Sequence, residues 1–327
     1  MIKNTVVRHI TLFMALMSSI LLTSCESVRY ASTKVQTLTP PARIINLPDT
    51  ANIAITVVLH DDYLPDGKKS FDSLAMTGMA MAIKSNLEKS PKYSSYIFPV
   101  YTINAEEKGL MDENISDIKE SSGANYLISV EELKTAFHRQ RVRTSKYNCV
   151  RIVAPHSLTV KIYDIDKFAV IDEKTIIDTV TLQVDAHAWE TDDEIMERVP
   201  DDKAAIAYLV KELAKSYTEE IIPFWKEESR FYYIDSNFDK AEYYIANEDW
   251  DKAMNLWMKY VNDENRELAA ISCFNMAVGC EMLGEYELAL KWMDNVKRKN
   301  ASYYWEEYKK LIEKRIKDKT VIDRIMQ

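Results

Sequence analysis

The sequence predicts an α/β (α+β) sandwich domain followed by an all-α helical domain. Three observations carry that expectation. Apolar β-branched runs alternate with four-residue apolar periodicity between residues 53 and 221. Two long stretches, around 150–163 and 174–186, alternate apolar and polar residues. In the last third, small and aromatic positions recur after 36 residues.

Taken in order, Ile53-Ala54-Ile55-Thr56-Val57-Val58-Leu59 reads as a buried strand, ended by the turn Pro65-Asp66-Gly67. Phe71, Ala75, Met79, Ile83 and Leu87 recur every four residues and predict an amphipathic helix, with Ser70 as its cap and Pro91 as its stop. Tyr96 to Ile103 is the next strand, and Pro99 favours an edge position. A short helix over 112–122 closes at Gly123, and Tyr126 to Val130 follows as a strand. Leu158, Val160 and Ile162 alternate with polar residues, as do Val180, Leu182 and Val184, so one sheet face is solvated. Asp164-Ile165-Asp166-Lys167 supplies the hairpin between those strands. Asp201-Asp202 then opens a helix with the stripe Ile206, Val210, Leu213, Tyr217 and Ile221.

Composition narrows function by exclusion. The chain has 327 residues, 42 basic against 51 acidic, and only 6 glycines. No spacing among those glycines forms a dinucleotide fingerprint or a phosphate loop. The net charge of −9 argues against nucleic acid as a partner. Histidines and cysteines give no zinc spacing and no CxxC, so no metal or cofactor is expected. Asp61, Asp62 and Asp66 read as a turn, because Leu64 stands where a calcium loop needs an oxygen ligand. Asp164 and Asp166 read as turn residues, and His187 and Glu190 as unpaired in function. No GxSxG elbow occurs, so no catalytic residue is assigned and no enzyme is expected.

The N-terminus carries an address. Lys3 and Arg8 precede a thirteen-residue apolar run, Ile10 to Leu22, too short to span a bilayer. Leu22-Thr23-Ser24-Cys25 resembles the bacterial lipobox, which implies a signal peptide over 1–24 and a lipidated Cys25 at the mature N-terminus, with palmitate among the acyl chains. Loss of Lys3 and Arg8 leaves 40 basic against 51 acidic residues, a net charge of −11. Residues 25–48, rich in Ser and Thr, read as a tether. The α/β domain is expected over 49–223 and the helical domain over 224–327. Cys273 and Cys280 lie two helical turns apart and read as core residues.

The strand near residue 53, the Asp72-Ser73-Leu74-Ala75 helix start and Gly123-Ala124-Asn125-Tyr126-Leu127-Ile128 resemble the α/β domain of several envelope lipoproteins. Among these are the curli-secretion lipoprotein, the penicillin-binding-protein activator lipoproteins and the amino-terminal domain of TolB. Further on, Ala241, Tyr244, Trp250 and Ala253 are matched by Ala277, Cys280, Tyr286 and Ala289. Gly284-Glu285-Tyr286-Glu287-Leu288-Ala289-Leu290 resembles the tetratricopeptide consensus, with Glu248 replacing glycine in the first copy. Residues 302–317 are expected to cover the last unit, and Phe224-Trp225 with Phe231-Tyr232-Tyr233 to dock the repeats. The whole resembles uncharacterised Bacteroidetes lipoproteins in which a domain of unknown function precedes tetratricopeptide repeats.

By that resemblance, Phe238, Glu242, Ile245, Phe274, Val278, Glu281 and Met282 would line a peptide-binding groove. Arg139, Arg141 and Arg143 alternate along an extended segment and share one face, a candidate patch for an anionic polysaccharide. The expected role is a non-enzymatic scaffold on the cell outer membrane, held by Cys25 and recruiting an envelope protein through its repeats. A subunit of an envelope secretion or transport assembly, and a polysaccharide-binding or carbohydrate-active lipoprotein, are the alternatives.

Overall fold

The computed structural model describes residues 29–45, 47–48, 51–60, 69–93, 96, 98–105, 109–144, 148–187, 189–299 and 303–326. The strands are β1 (Arg29–Thr39), β2 (Ile53–His60), β3 (Val100–Ala105), β4 (Tyr126–Thr135), β5 (His138–Arg143), β6 (Asn148–Asp164), β7 (Ala169–Asp185) and β8 (Phe224–Ile234). The helices are α1 (Lys69–Lys89), α2 (Asp112–Ser122), α3 (Asp192–Arg198), α4 (Asp202–Ile221), α5 (Ala241–Ala246), α6 (Trp250–Trp257), α7 (Arg266–Met282), α8 (Tyr286–Lys299) and α9 (Tyr303–Ile325). Two compact units result. One holds Leu38–Lys226 with Asp318–Gln327; the other holds Glu227–Lys317 with the N-terminal segment through Thr37.

In the α/β unit, β2 sits between β3 and β4 and is parallel to both. Both faces of β2 are covered by separate cores, which is why its run is continuously apolar. Ile53, Ile55 and Val57 enter the larger core with Ala75, Met79, Ile83 and Leu87 of α1 and Ile206, Leu209, Leu213 and Tyr217 of α4. Ala54 points the other way, into a second core with Ile115 and Ile118 of α2, Leu127 and Tyr163. The expected stripes of α1 and α4 are thus the buried ones, apart from Phe71, whose side chain lies outside the described residues. Gly78 lets α1 approach α4 closely: a Cβ there would sit 3.3 Å from Val210 Cγ2.

Antiparallel pairing takes over beyond β4. One flank of β6 pairs with β4 and then β5, while its other flank pairs with β7 along nearly its whole length. Val100–Ala105 occupies the edge foreseen from Pro99, which directly precedes it. At the hairpin, Asp164 accepts from the Lys167 amide (3.1 Å) within the turn, while Asp166 pairs with Lys119 of α2 (2.6 Å) and so ties the turn to that helix. Gly123 ends α2 at φ 66°, donating its N–H to Lys119 O. β5 and α3 are additional to the expected order. The former is an arginine-rich continuation of the β4 flank, the latter a single capping box with Thr191 and Glu194.

The helical unit corrects the expected tether. Residues 29–39 form β1, which pairs with β8 in a two-stranded sheet. Tyr30 meets the Phe231 ring (6.2 Å between centroids) and Lys34 meets Glu227 (2.7 Å), so the strands run in opposite directions. Part of the Ser/Thr-rich stretch that read as a tether is a half-exposed strand: Thr37 is buried, while Ser32, Lys34 and Gln36 face outward. Phe231-Tyr232-Tyr233, expected as a docking surface, lie in β8, with Tyr232 inside the helical core. Trp225, at the start of β8, is exposed.

The 36-residue offset reappears in the backbone. Gly284 takes φ 76° and Glu248, its counterpart, φ 58°. At the first turn the Glu248 and Asp249 amides donate to Ile245 O (3.0 Å) and Tyr244 O (2.9 Å). At the second, the Gly284 and Glu285 amides donate to Glu281 O (3.0 Å) and Cys280 O (2.8 Å). Ala241, Ala253, Ala277 and Ala289 are all buried between helices, as small residues at close helix contacts must be. Gly279 is the tightest of these contacts, since a Cβ there would fall 2.5 Å from Met254 Cγ. The copies are unequal: α5 has 6 residues where α7 has 17.

Candidate functional site: the inner face of the helical unit

The residues expected to line an open groove are covered by the chain itself. Phe238, Ile245, Phe274, Val278 and Glu281 are buried; of the seven, only Glu242 is exposed, and Met282 is half-buried. β8 lies over the α7 part of this face. Its grip is built from three kinds of contact, traceable to the adjacent α7 residues Phe274 and Asn275 and to Glu281 six residues further on.

Asn275 is fully buried. Its amide donates to Tyr233 O (2.8 Å), and its carbonyl oxygen accepts from the Tyr233 N–H (2.8 Å). One side chain thus satisfies both polar groups of a strand residue on the edge turned to the helix. Phe274 supplies the apolar counterpart. Its ring stacks on Phe231 (5.1 Å, 17°), meets Tyr233 edge-on (5.1 Å, 74°), and leans on Tyr308 of α9 (5.0 Å).

The third contact is ionic. Arg230 Nε lies 2.9 and 2.8 Å from the two Glu281 oxygens, and Arg230 Nη2 reaches Glu228 at 2.7 Å. Arg315 of α9 binds the same Glu228 oxygen, and Tyr308 donates its hydroxyl to Glu281 (2.5 Å). Two cations thus face two anions in a site almost without solvent. Burial opposes the Arg230 charge, but the bonds from Glu281 and Glu228 outweigh it and hold the guanidinium above its ordinary range. Burial, then the negative charge of Glu281, pushes the Tyr308 phenol well up, so it remains a donor. Burial, with Glu285 nearby, also raises the Cys280 thiol, to about 11.

This face therefore binds an extended segment by main-chain capture, aromatic packing and a salt bridge, and the segment is β8. The groove fails as an open receptor because its recognition elements are already satisfied. Arg230 and Asn275 were not singled out from sequence. A charged residue inside the aromatic run Phe224–Ile234 was the available signal, since an arginine there needs a buried partner.

The arginine patch is likewise consumed within the α/β unit. Arg139 pairs with Asp202 (2.6 Å) and donates to Pro200 O, at the start of α4. Arg141 pairs with Asp192 (2.9 Å) at the start of α3 and also holds Asn148 Oδ1 and Cys149 O. Arg143 stands exposed at the end of β5, and Arg139 is exposed too despite its pairing. The three share an extended segment as expected, but two of them fasten helix starts rather than form a cationic surface for polysaccharide.

Other expected positions fall as follows. Cys149, Cys273 and Cys280 are buried thiols. The His187 N–H donates to Glu190, and the His187 ring stacks on exposed Trp189 (4.6 Å). Cys25 and the Asp61 to Gly67 turn lie outside the described residues. Among the described residues, no group of three or more His, Cys, Asp or Glu could hold a metal ion, and no helix is long and apolar enough to cross a membrane.

Comparison with known proteins gives family membership and little more. No curated protein matches the chain. Among solved structures, a PelC dodecamer from Paraburkholderia phytofirmans is 14% identical, with 56% of this chain and 94% of that one covered and a TM-score of 0.23. A minor lipoprotein from Acinetobacter baumannii is 12% identical over 53% of this chain and 92% of its own, TM-score 0.24. A neuraminyllactose-binding hemagglutinin homolog from Helicobacter pylori is 13% identical over 53% and 88%, TM-score 0.28. Likenesses this distant set no function. Residues 239–317 match the model of a domain of unknown function (DUF6340). Residues 46–233, more than half of the sequence, match another, and the chain belongs to that family, the domain of unknown function DUF8603.

Proposed function

We propose that this protein is a lipid-anchored envelope protein of the outer membrane, a non-enzymatic scaffold that recruits a partner along the outer edge of β7. The anchor rests on Leu22-Thr23-Ser24-Cys25, and the non-catalytic reading on the absence of catalytic spacing in the sequence. Tetratricopeptide-like packing of the helices supplies a rigid second unit rather than a receptor groove.

The observation that carries the reading is β7 itself. It runs for 17 residues, pairs only with β6 among the described residues, and so presents an unpaired ladder roughly 55 Å long. Open edges are ordinarily blunted by short length, proline or several lysines. β7 has no proline and a single lysine, Lys174, which is drawn to Glu220 (3.2 Å). Ile177 is 80% exposed, and Val170 and Ile171 are exposed as well. Strand addition by an extended partner segment satisfies such an edge. Glu173, Asp178 and Asp185 along β7 favour a basic segment.

Affinity capture of the lipidated protein tests this. Ile177→Lys, on an exposed side chain, leaves stability within about 0.5 kcal/mol. It should lose the partner that the wild type recovers, while Tyr243→Ala on α5 retains it. Equal recovery by Ile177→Lys contradicts the proposal.

A further inference from the structure

The lipid anchor and the first strand are too close together for a tether. Only Glu26, Ser27 and Val28 separate Cys25 from Arg29, where β1 begins. Four residue steps reach at most about 14 Å, even fully extended. β1 cannot slide to lengthen that leash, because it is paired with β8, and β8 is fixed to α7 by Asn275 and Glu281.

From this we infer that the bilayer surface is the partner of one end of the helical unit, the end formed by the start of β1. This rests on lipidation of Cys25 and deepens it: the anchor sets an orientation as well as an address. The residues at that end suit an interface. Tyr30 is 71% exposed although its ring edges onto Phe231, and Arg29 beside it is exposed too. An exposed tyrosine suits headgroup depth, and an arginine next to it attracts anionic lipid. Lys34 lies further along the same strand, already engaged by Glu227, so the exposed basic and aromatic character of β1 concentrates where the leash enters.

The arrangement has a mechanical consequence. A lipoprotein on a long Ser/Thr tether samples many orientations; a strand held within about 14 Å of its acyl chains does not. The start of β1 is thereby kept close to the bilayer surface.

The test uses the full lipidated chain in phosphatidylethanolamine–phosphatidylglycerol vesicles carrying a headgroup quencher, with a fluorophore on Ser32→Cys. Ser32 is exposed on β1, and Cys149, Cys273 and Cys280 are buried in the folded protein, so labelling is selective. Strong quenching is expected. A variant with twenty Gly/Ser residues inserted between Val28 and Arg29, whose leash spans roughly 27 Å on average, should lose most of it. An unquenched label on protein whose N-terminal peptide has the diacylated mass overturns the inference. Equal quenching with and without the insertion overturns the leash as its cause. A non-acylated N-terminal peptide strikes instead at the anchor itself.

Discussion

Arg230 and Glu281 decide whether β8 stays on α7. Each is almost fully buried, and each is charged, so neither tolerates loss of the other. Arg230→Ala should cost about 3–5 kcal/mol in urea unfolding, because Glu281 and Glu228 would then share the charge of Arg315. Replacing both, as Arg230→Met with Glu281→Leu, should recover most of that loss, since a buried pair exchanged for apolar volume is often neutral. A double variant as unstable as the single one would show that Arg230 acts through packing rather than charge. The same neighbourhood sets an alkaline limit. Burial raises the Cys280 thiol to about 11 from an ordinary 9.0, so the folded form keeps a proton that the unfolded chain sheds. That stability is complete below pH 9 and is lost as pH rises through 11, with Tyr308 extending the fall beyond. Cys280→Ala should flatten the first part of the decline in unfolding midpoints between about pH 8 and 11.

At the scale of elements, the two helical turns offer a matched experiment. Glu248 and Gly284 hold the same left-handed position 36 residues apart, with the same pair of backbone hydrogen bonds. A non-glycine residue there costs about 1–2 kcal/mol, partly offset in glycine by its extra freedom when unfolded. Glu248→Gly should therefore stabilise by about 0.5–1 kcal/mol and Gly284→Glu destabilise at least as much, both read by thermal melts. Identical melts for Glu248→Gly and wild type would mean the turn is not strained. These turns were legible in sequence because glycine marks one of them and a small-aromatic spacing marks both. The stripes of α1 and α4 were legible for the same local reason, a helical period within one segment. β1 and β8 were not. Their pairing partners lie far apart along the chain, and the charges inside β8 are neutralised by Glu281 and Arg315, which are also remote in sequence. Arg139 and Arg141 show the same boundary: their alternation identified an extended segment, while Asp202 and Asp192, which absorb their charge, could be assigned only in three dimensions.

For the molecule as a whole, the recognition chemistry of the helical unit is turned inward and the long edge of the α/β unit is turned outward. A groove that captures main chain through Asn275 and an arginine through Glu281 has the makings of a peptide receptor, yet its peptide is covalently supplied. Changing Phe274 or Glu281 should therefore unfold this unit rather than release a partner selectively. β7, with Ile177 exposed and β6 as its one neighbour among the described strands, is the edge we propose for an external strand. Photo-crosslinking in intact cells separates the two faces directly, with the photoreactive residue placed at Ile177 or at Glu242, both exposed. Expected is a discrete crosslinked partner from position 177 and none from position 242; a partner captured at 242 and absent at 177 would contradict recruitment through β7.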